Sequence, residues 1–393
     1  MITTSYDRIY SKYRVNYDVT SFINGMTDYL DEYAAESDNV SVGLDFGTLI
    51  KKILGKIIKI LTELITNIRK WYNEIKATLS THAKNIFNTR NLRRNAIQTE
   101  IYNIDVQVKN LRTKPGYQDD MDTVALIDSL LARRNELMEQ YQWLGDYYYI
   151  SAEHRHLFEE GNALCIRGQE LTLDTFEAFN NELEMYDYIP LLQDITASEI
   201  EREKVNVHNR TGGKINAIVS DAVAHASAST KAGGNQYYKE WTEEDQEYND
   251  YIAMIDTYAN GQWKSENAAA FERLKVIKTE IKDAKNDPNI KDSVEAIEAV
   301  VINKLTKEND LAISKVAIIE KALKKYKTIC EREYKRQDKR LDIRKRGMFF
   351  TVKMKKAPQY LLKIINTLQE MVDSYQGFVT TRSSLILSVK TAM

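Results

Sequence analysis

The most regular hydrophobic pattern in the chain runs from Phe46 to Leu79, in a segment that begins FGTLIKKILGKIIKILTELI. Isoleucine and leucine recur there at intervals of three and four residues, which is the spacing of one face of an α-helix. Lysines fall on the opposite side, so the segment is predicted to form one amphipathic helix. Its apolar face is a candidate surface for a protein partner or a lipid interface, and it comprises Ile50, Ile53, Leu54, Ile57, Ile58, Leu61, Leu64, Ile65, Ile68 and Trp71.

Helical spacing returns through most of the chain. Further helices are predicted at residues 4–36, 91–112, 122–160, 172–188, 266–287, 292–346 and 358–374. The sequence SDNVSVGLDFG, before the amphipathic helix, is predicted to be a linker. Alternation with a period of two is rare, and only residues 351–354 and 378–389 favour strands. The predicted fold class is all-α: an elongated bundle of long amphipathic helices with coiled-coil-like packing and little or no β-sheet.

The composition agrees with long helices. The 393 residues include four prolines and 15 glycines, the two residue types that interrupt helices most strongly. Hydrophobic residues make up 43% of the chain and charged residues 28%, which favours a folded protein over a disordered one. The formal net charge is -2, so total charge indicates no partner. The two cysteines are far apart and cannot supply a disulfide framework or a zinc site.

A change in composition divides the chain. Residues 206–236 are rich in Gly, Ala and Ser and are predicted to link two helical domains. The first domain would comprise residues 37–205, built on the 46–79 helix, and the second residues 237–393, with a long basic helix. The Tyr-rich segment 1–36 is a candidate propeptide. It lacks the apolar stretch of a secretory signal, so synthesis in the cytoplasm is expected.

The amphipathic helix is not predicted to cross a membrane. Lys51, Lys52, Lys56 and Lys59 interrupt the apolar run, and each lysine costs about 2.5–3.5 kcal/mol at the centre of a bilayer. Two alternatives stay open for the apolar face. It packs against partner helices, or it lies in a lipid interface with its lysines toward the headgroups.

No catalytic constellation is recognisable in the sequence. Glu153, His156 and Glu160 can share one helix face, but a di-iron bundle needs a second Glu-x-x-His unit, which the chain lacks. The sequence RTGGK at residues 210–214 lacks the first glycine and the final Ser or Thr of a phosphate-binding loop. The chain is therefore predicted not to be an enzyme, with no metal, no cofactor and no small-molecule substrate.

The strongest charge feature is a basic stretch at residues 321–356, with fifteen basic residues against four acidic ones. Such stretches attract phosphate backbones, and the interleaved aromatic residues can stack on bases. The alternative is that these cations pair with acidic residues, such as those between Glu240 and Asp250, on this chain or a neighbour. The candidate nucleic-acid contacts are Lys335, Arg336, Lys339, Arg340, Arg344, Lys345 and Arg346.

Residues 34–112 resemble the internal head or prohead-core proteins of large tailed bacteriophages. In that family a short propeptide precedes an amphipathic Ile/Leu/Lys/Trp-rich helix and then a charged helical region, here FGTLIKKILGKIIKILTELITNIRKWYNEIK followed by NTRNLRRNAIQTEIYNIDVQVKNLR. The tripeptide Ala34-Ala35-Glu36 fits the small-x-Glu pattern that prohead proteases cut, which makes Glu36 a candidate processing site. The resemblance implies a virion protein stored in the phage head, with its basic stretch facing packaged DNA.

Three functions are weighed on this basis. The first is a structural virion protein inside a phage head, which self-associates through its helices or binds other virion proteins and non-specifically binds DNA. The second is a membrane-active helical protein that forms pores or binds a membrane surface. The third is a bacterial helical scaffold or adaptor.

Overall fold

A computed structural model describes residues 5–14, 42–186, 188–192, 246–286, 294–344, 352–387 and 390–391. The predicted all-α class is confirmed, because nearly all of these residues are helical. The first half contains α1 (Ser5–Tyr13), α2 (Val42–Arg112), α3 (Met121–Asp146), β1 (Tyr147–Ser151) and α4 (Ala152–Glu184), followed by a 3-10 turn at Pro190–Leu192. The second half contains α5 (Gln246–Ala259), α6 (Gln262–Asn286), β2 (Val294–Glu298), α7 (Ala299–Ser314), α8 (Val316–Arg344), α9 (Val352–Ile386) and β3 (Lys390–Thr391).

The amphipathic segment belongs to a much longer helix than its pattern predicts. α2 runs for 71 residues, about 105 Å at 1.5 Å per residue, and includes the separately predicted 91–112 helix. The linker predicted before Phe46 is wrong from Val42 onward, where α2 begins. The helix ends just before Lys114-Pro115-Gly116, and Gly116 has a φ of 74°, a conformation that glycine adopts without steric cost.

Several other predicted boundaries are wrong. The helix predicted at 122–160 is interrupted by β1, and the one predicted at 172–188 is the second half of α4. The helix predicted at 292–346 is divided into β2, α7 and α8. Lys315 separates the last two, and its backbone N–H donates to the carbonyls of Leu311 (3.3 Å) and Ala312 (3.1 Å). Neither glycine nor proline marks this break, so the sequence carries no local signal for it.

Three short strands form one antiparallel sheet in the order β2-β1-β3. Tyr147 pairs with Glu298 and Ser151 with Val294, while Tyr148 pairs with Thr391. The two stretches predicted to favour strands are helical instead, since residues 352–354 and 378–386 lie in α9. Hydroxyl residues are compatible with a helix there, because Ser383 and Ser384 donate to the carbonyls of Val379 (2.8 Å) and Thr380 (3.0 Å), four residues earlier.

α9 is the most enclosed helix of the described chain. Every residue from Tyr375 to Leu385 is buried, so the helix is surrounded on all sides. The helical spacing predicts residues 358–374 only, but α9 begins before Pro358 and continues to Ile386. A proline inside a helix costs about 3 kcal/mol. Burial of the remaining residues offsets that cost, since a fully buried large apolar side chain contributes about 1.5–3 kcal/mol.

The main core collects apolar side chains from α1, α2, α4 to α9 and the 3-10 turn at Pro190–Leu192. A smaller core joins α4, α6, β2, α7 and α9. Both cores contain residues from either side of the predicted 206–236 linker. The two predicted helical domains therefore share their packing, and the linker itself lies outside the described residues.

Small residues line the face of α4 that meets α9. Gly161, Cys165, Gly168 and Thr172 are spaced by four, three and four residues along that face. A methyl group added at Gly161 would lie 2.9 Å from Cδ1 of Leu385, and one added at Gly168 would overlap the ring of Phe378. The two helices thus approach closely and run antiparallel.

The remaining part of α2 forms a hairpin with α3. Its thin core consists of buried Ile97, Ile104 and Val108 from α2 and Ile127, Leu137 and Leu144 from α3. Two ion pairs join the helices, from Arg133 Nη2 to Glu100 Oε1 (3.3 Å) and from Arg134 Nε to Asp105 Oδ1 (2.6 Å). Arg90, ten residues before Glu100, donates to the carbonyl of Leu144, eleven residues after Arg133, so the two helices run antiparallel.

Candidate functional site

The two strongest features of the sequence, the amphipathic segment and the basic stretch, are neighbours in the fold. α8 lies antiparallel along the first half of α2. The Lys51 ammonium lies 4.8 Å from the centre of the Tyr334 ring, and a Cβ at Gly55 would lie 3.7 Å from the same ring. Fourteen residues further along α2, Arg69 forms an ion pair with Glu320 of α8. Sequence patterns could not place these segments together, because about 270 residues separate them.

The apolar face of α2 is buried inside the chain. Ile58 is partly buried, and the other nine predicted residues are buried in the main core: Ile50, Ile53, Leu54, Ile57, Leu61, Leu64, Ile65, Ile68 and Trp71. Trp71 is fully enclosed, with 0% of its surface exposed. Helices of the same chain cover the face, which agrees with the alternative that it packs against partner helices. Its use as a surface for another protein or for lipid stays a prediction.

The opposite side of α2 is exposed and carries positive charge. Lys52, Lys56 and Lys59 are all exposed, and 78% of the Lys59 side chain is accessible to solvent. Its ammonium group lies 3.9 Å from Oε1 of Glu63, one helical turn away. At that distance and exposure the attraction is weak. This side of α2 therefore presents a row of exposed lysine side chains.

The basic residues of α8 divide into two groups. Nearer its start, Lys324 pairs with Glu320 (2.5 Å), Lys325 with Glu184 (2.6 Å) and Lys327 with Glu331 (3.5 Å). These pairs agree with the alternative that cations of the basic stretch are balanced within the chain. The acidic partners are not those suggested between Glu240 and Asp250, because they lie on α4 and on α8 itself.

Nearer the end of α8, Lys335 is exposed to solvent beside Tyr334, and Arg336 donates to Oε1 of the buried Glu333 at 2.6 Å. Lys339, Arg340 and Arg344 continue the helix, but their side chains are not described. Lys345 and Arg346 lie outside the described residues. Because Tyr334 faces Lys51 and Gly55, Lys335 lies at the same level of the helix pair as the lysines of α2. We call Lys52, Lys56, Lys59 and Lys335 the α2–α8 basic surface.

The Glu160 carboxylate, one turn beyond His156 of the Glu-x-x-His unit on α4, is bound by an arginine. Both carboxylate oxygens of Glu160 accept hydrogen bonds from Arg273, each at 2.6 Å, and these bonds lower the pKa of the carboxyl group. His156 is exposed. Within the described residues, no group of three or more His, Cys, Asp or Glu side chains is placed to hold a metal ion.

A buried polar network is a feature that the sequence patterns do not predict. Arg382 of α9 has 3% of its side chain exposed, and it donates to Asn162 Oδ1 (2.9 Å) and Glu308 Oε2 (3.0 Å). Asn309 donates to the Ser383 hydroxyl at 2.8 Å. These bonds satisfy polar groups that would be costly to bury alone. The signal in the sequence is a polar run, TTRSS, between apolar residues, and it resembles an exposed turn.

A cleft of about 410 Å³ lies near this network, between α4, β2 and α7. Its lining is mostly apolar, with Phe158, Ile297 and Leu305, and it is bordered by Arg155 and Glu159. Those two side chains bond to each other at 3.1 Å. The cleft therefore offers mainly hydrophobic contact, and Glu298 adds a further carboxylate to its lining.

Two predicted features cannot be placed. The candidate processing site Glu36 and the RTGGK sequence at 210–214 both lie outside the described residues.

Comparison with known proteins gives no relative. No family model, curated protein or solved structure matches the chain. Among the described residues, no helix combines the length and the hydrophobicity that crossing a bilayer requires.

Proposed function

We propose that this chain is a non-enzymatic structural protein of a phage virion, held inside the head, which binds packaged DNA without reading its sequence. The observation that carries the proposal is the α2–α8 basic surface, in which two distant basic segments meet on one side of a helix pair. The proposed location inside the head is inferred from the resemblance of residues 34–112 to internal head proteins.

The chemistry of the surface fits a phosphate backbone. Exposed ammonium groups displace condensed counterions from DNA, and that release drives binding that weakens steeply with salt. Phosphate contacts of this kind carry no sequence information. Rows of flexible lysine side chains, unlike a helix end aimed into a groove, suit a protein that must contact densely packed DNA wherever it lies.

A salt titration tests DNA binding. We expect the purified chain to bind double-stranded DNA of any sequence, with log K falling linearly against log salt. Replacing Lys52, Lys56 and Lys59 by Gln should reduce that slope by up to about 0.9 for each phosphate that the variant no longer neutralises. The matched control replaces Lys109, Lys275 and Lys304, which are also exposed but lie on other surfaces. Equal slopes for the two triple variants would contradict the assignment.

Mass spectrometry of purified virions tests the location. The proposal expects the chain among the proteins of the head, and a new N-terminus at Ser37 if the candidate site after Glu36 is cut. A chain that is abundant in infected cells but lacking from purified virions would refute the virion assignment. A virion protein that binds no DNA would refute only the role of the basic surface.

The membrane-active alternative makes a different prediction. It requires α8 to leave α2, so that the buried apolar face of α2 reaches lipid. A bifunctional thiol cross-linker with a reducible spacer, attached to Gly55→Cys and Tyr334→Cys, would hold the two helices together, because an added Cβ at Gly55 lies 3.7 Å from the edge of the Tyr334 ring and the spacer replaces that ring. Leakage from anionic liposomes that stops on cross-linking and returns on reduction would favour this alternative. The scaffold alternative predicts neither leakage nor DNA binding.

A further inference from the structure

The base of the α2–α3 hairpin, where α2 leaves the main core, has an excess of positive charge. Between Glu74 and Glu100 the sequence has five lysine and arginine residues and no acidic residue. Three of the five, Arg90, Arg93 and Arg94, share one side of α2, because residues three and four positions apart are neighbours on a helix surface. We call these three side chains the arginine cluster.

Contacts with α3 hold two members of the cluster in place. Arg90 donates from Nε to the carbonyl oxygen of Leu144, close to the end of α3. The Arg94 guanidinium lies 4.5 Å from the centre of the Tyr141 ring, one turn earlier on α3. Both side chains are half-buried, and Arg93 beside them is exposed. A guanidinium that is already held in this way loses less conformational entropy when it binds a ligand.

The Arg94 guanidinium has hydrogen-bond donors that its surroundings do not use. Its Nε is buried and has no hydrogen-bond partner, and neither Nη atom bonds to a described residue. Among the described residues, Arg93 and Arg94 also form no ion pair. Further along the hairpin the pattern differs, since two arginines of α3 pair with carboxylates of α2. Like charges one helical turn apart are destabilising, so a bound anion would stabilise this part of the fold.

We propose that the arginine cluster binds a phosphate group. The planar fork of one guanidinium bonds two oxygens at once, which occupies both oxygens of a carboxylate. A phosphate group has further oxygens in a tetrahedral arrangement, so several guanidinium groups can share it. The phosphate belongs either to a small molecule, such as inorganic phosphate, or to a nucleic-acid backbone, because both present the same oxygens.

This site is separate from the α2–α8 basic surface. Arg90 follows Lys59 by 31 residues, about 47 Å along α2 at 1.5 Å per residue. Half-buried guanidinium groups are also screened less by salt than exposed lysines, which favours a close contact with one anion. The inference therefore does not depend on the proposed virion role, and either proposal can fail without the other.

Equilibrium dialysis of labelled inorganic phosphate at constant ionic strength is the first test. We expect Arg94→Gln to weaken phosphate binding at least about tenfold, the effect of losing a hydrogen bond to a charged group. Arg93→Gln, at an exposed position where the substitution does not disturb packing, should weaken it too. Arg112→Gln, an exposed position at the end of the same helix, is the matched control and should bind like the full-length chain. The triple glutamine variant of the α2–α8 basic surface should also leave phosphate binding unchanged.

Arg94→Lys separates recognition by a guanidinium fork from simple attraction of charges. Lysine keeps the charge but lacks the planar fork, so it should recover only part of the binding that Arg94→Gln loses. Equal helicity by circular dichroism would show that the variants fold. No phosphate bound by the full-length chain, equal binding by Arg94→Gln and Arg112→Gln, or full recovery by Arg94→Lys would overturn the proposal.

A short DNA duplex distinguishes the two sources of the phosphate group. If the ligand is a nucleic-acid backbone, the duplex should displace labelled phosphate. Arg94→Gln should then also reduce the slope of log K for duplex binding against log salt, by up to about 0.9 for each phosphate that it no longer neutralises. If the ligand is a small molecule, labelled phosphate should stay bound beside the duplex, and Arg94→Gln should leave that slope unchanged.

Discussion

At the scale of single residues, glycine decides how closely helices approach in this protein. Gly168 of α4 faces the ring of Phe378, and there is no space for a methyl group between them. Gly55 of α2 differs, because an added Cβ would make an ordinary contact at 3.7 Å with Tyr334. Both glycines lie inside helices, where alanine has the higher helix propensity. Replacing each glycine by alanine gives a similar gain in helix propensity at both positions. The two variants therefore differ mainly in whether the neighbouring side chain leaves space for a methyl group.

We expect Gly168→Ala to reduce the free energy of unfolding by up to about 2 kcal/mol. Overpacking of a core costs about 1–3 kcal/mol, and the gain in helix propensity of about 1 kcal/mol offsets part of it. Gly55→Ala should instead be neutral or raise stability by up to about 1 kcal/mol. Urea denaturation of the two variants measures the difference. Equal midpoints would show that α9 can move away from α4 without cost.

The two thiols give a second prediction at this scale. Burial raises the pKa of both Cys165 and Cys330 to about 12, so neither is a thiolate at neutral pH. We expect no reaction with a colorimetric thiol reagent at pH 8 in the native chain and two reactive thiols in denaturant. Rapid labelling of either cysteine in the native chain would indicate that its helix opens readily.

At the scale of elements, the contact between α2 and α8 depends on both packing and charge. Glu320 of α8 accepts from Arg69 of α2 and also pairs with Lys324 of its own helix. The hydrogen bond from Arg69 is the largest cause that lowers the pKa of Glu320. With 16% of its side chain exposed, Glu320 is screened less than a surface carboxylate.

We expect Glu320→Gln to lower the free energy of unfolding at pH 7 by about 1 kcal/mol, the upper range for such pairs. Because the folded-state pKa lies below the ordinary value of 4.5, the stabilisation is present above that pH and disappears as the pH falls through the folded-state pKa. The variant and the wild type should therefore converge in acid. Denaturant titrations at pH 7 and in acid measure this. A difference in the free energy of unfolding that stays the same at both pH values would indicate that the substitution disturbs packing and not the ion pair.

The sequence predicts most of the helices but not their partners. The apolar spacing of α2 identifies its buried face residue by residue, because burial in a helix follows a period of 3.6. The same spacing cannot distinguish a partner chain, a lipid surface or α8, since all three present apolar contacts. The break at Lys315 and the strand at Tyr147 escape prediction because tertiary packing determines them.

At the scale of the whole molecule, α1 bears on whether the first 36 residues are removed. α1 packs against α2 and α9, where Tyr6 has 0% and Ile9 5% of its surface exposed. Hydrogen bonds join α1 to three other helices. Tyr10 donates to Asp373 of α9 (2.8 Å), and Lys12 donates to Glu74 of α2 (3.0 Å). Asp7 accepts from Lys278 of α6 (3.1 Å). The candidate propeptide thus contributes to the main core.

We therefore expect a chain that begins at Ser37 to be less stable than the full-length chain, by at least about 3 kcal/mol, the lower range for loss of one large buried aromatic side chain. Tyr6→Ala in the full-length chain should reproduce much of this loss, whereas Arg8→Ala, at an exposed position of α1, should not. Denaturant unfolding of the four chains compares their stabilities.

If processing after Glu36 occurs in virions, two outcomes are distinguishable there. Either α1 stays bound after the cut and is recovered with the head, or it leaves and the mature protein unfolds more readily. A Ser37 chain as stable as the full-length protein would show that α1 adds nothing to the core.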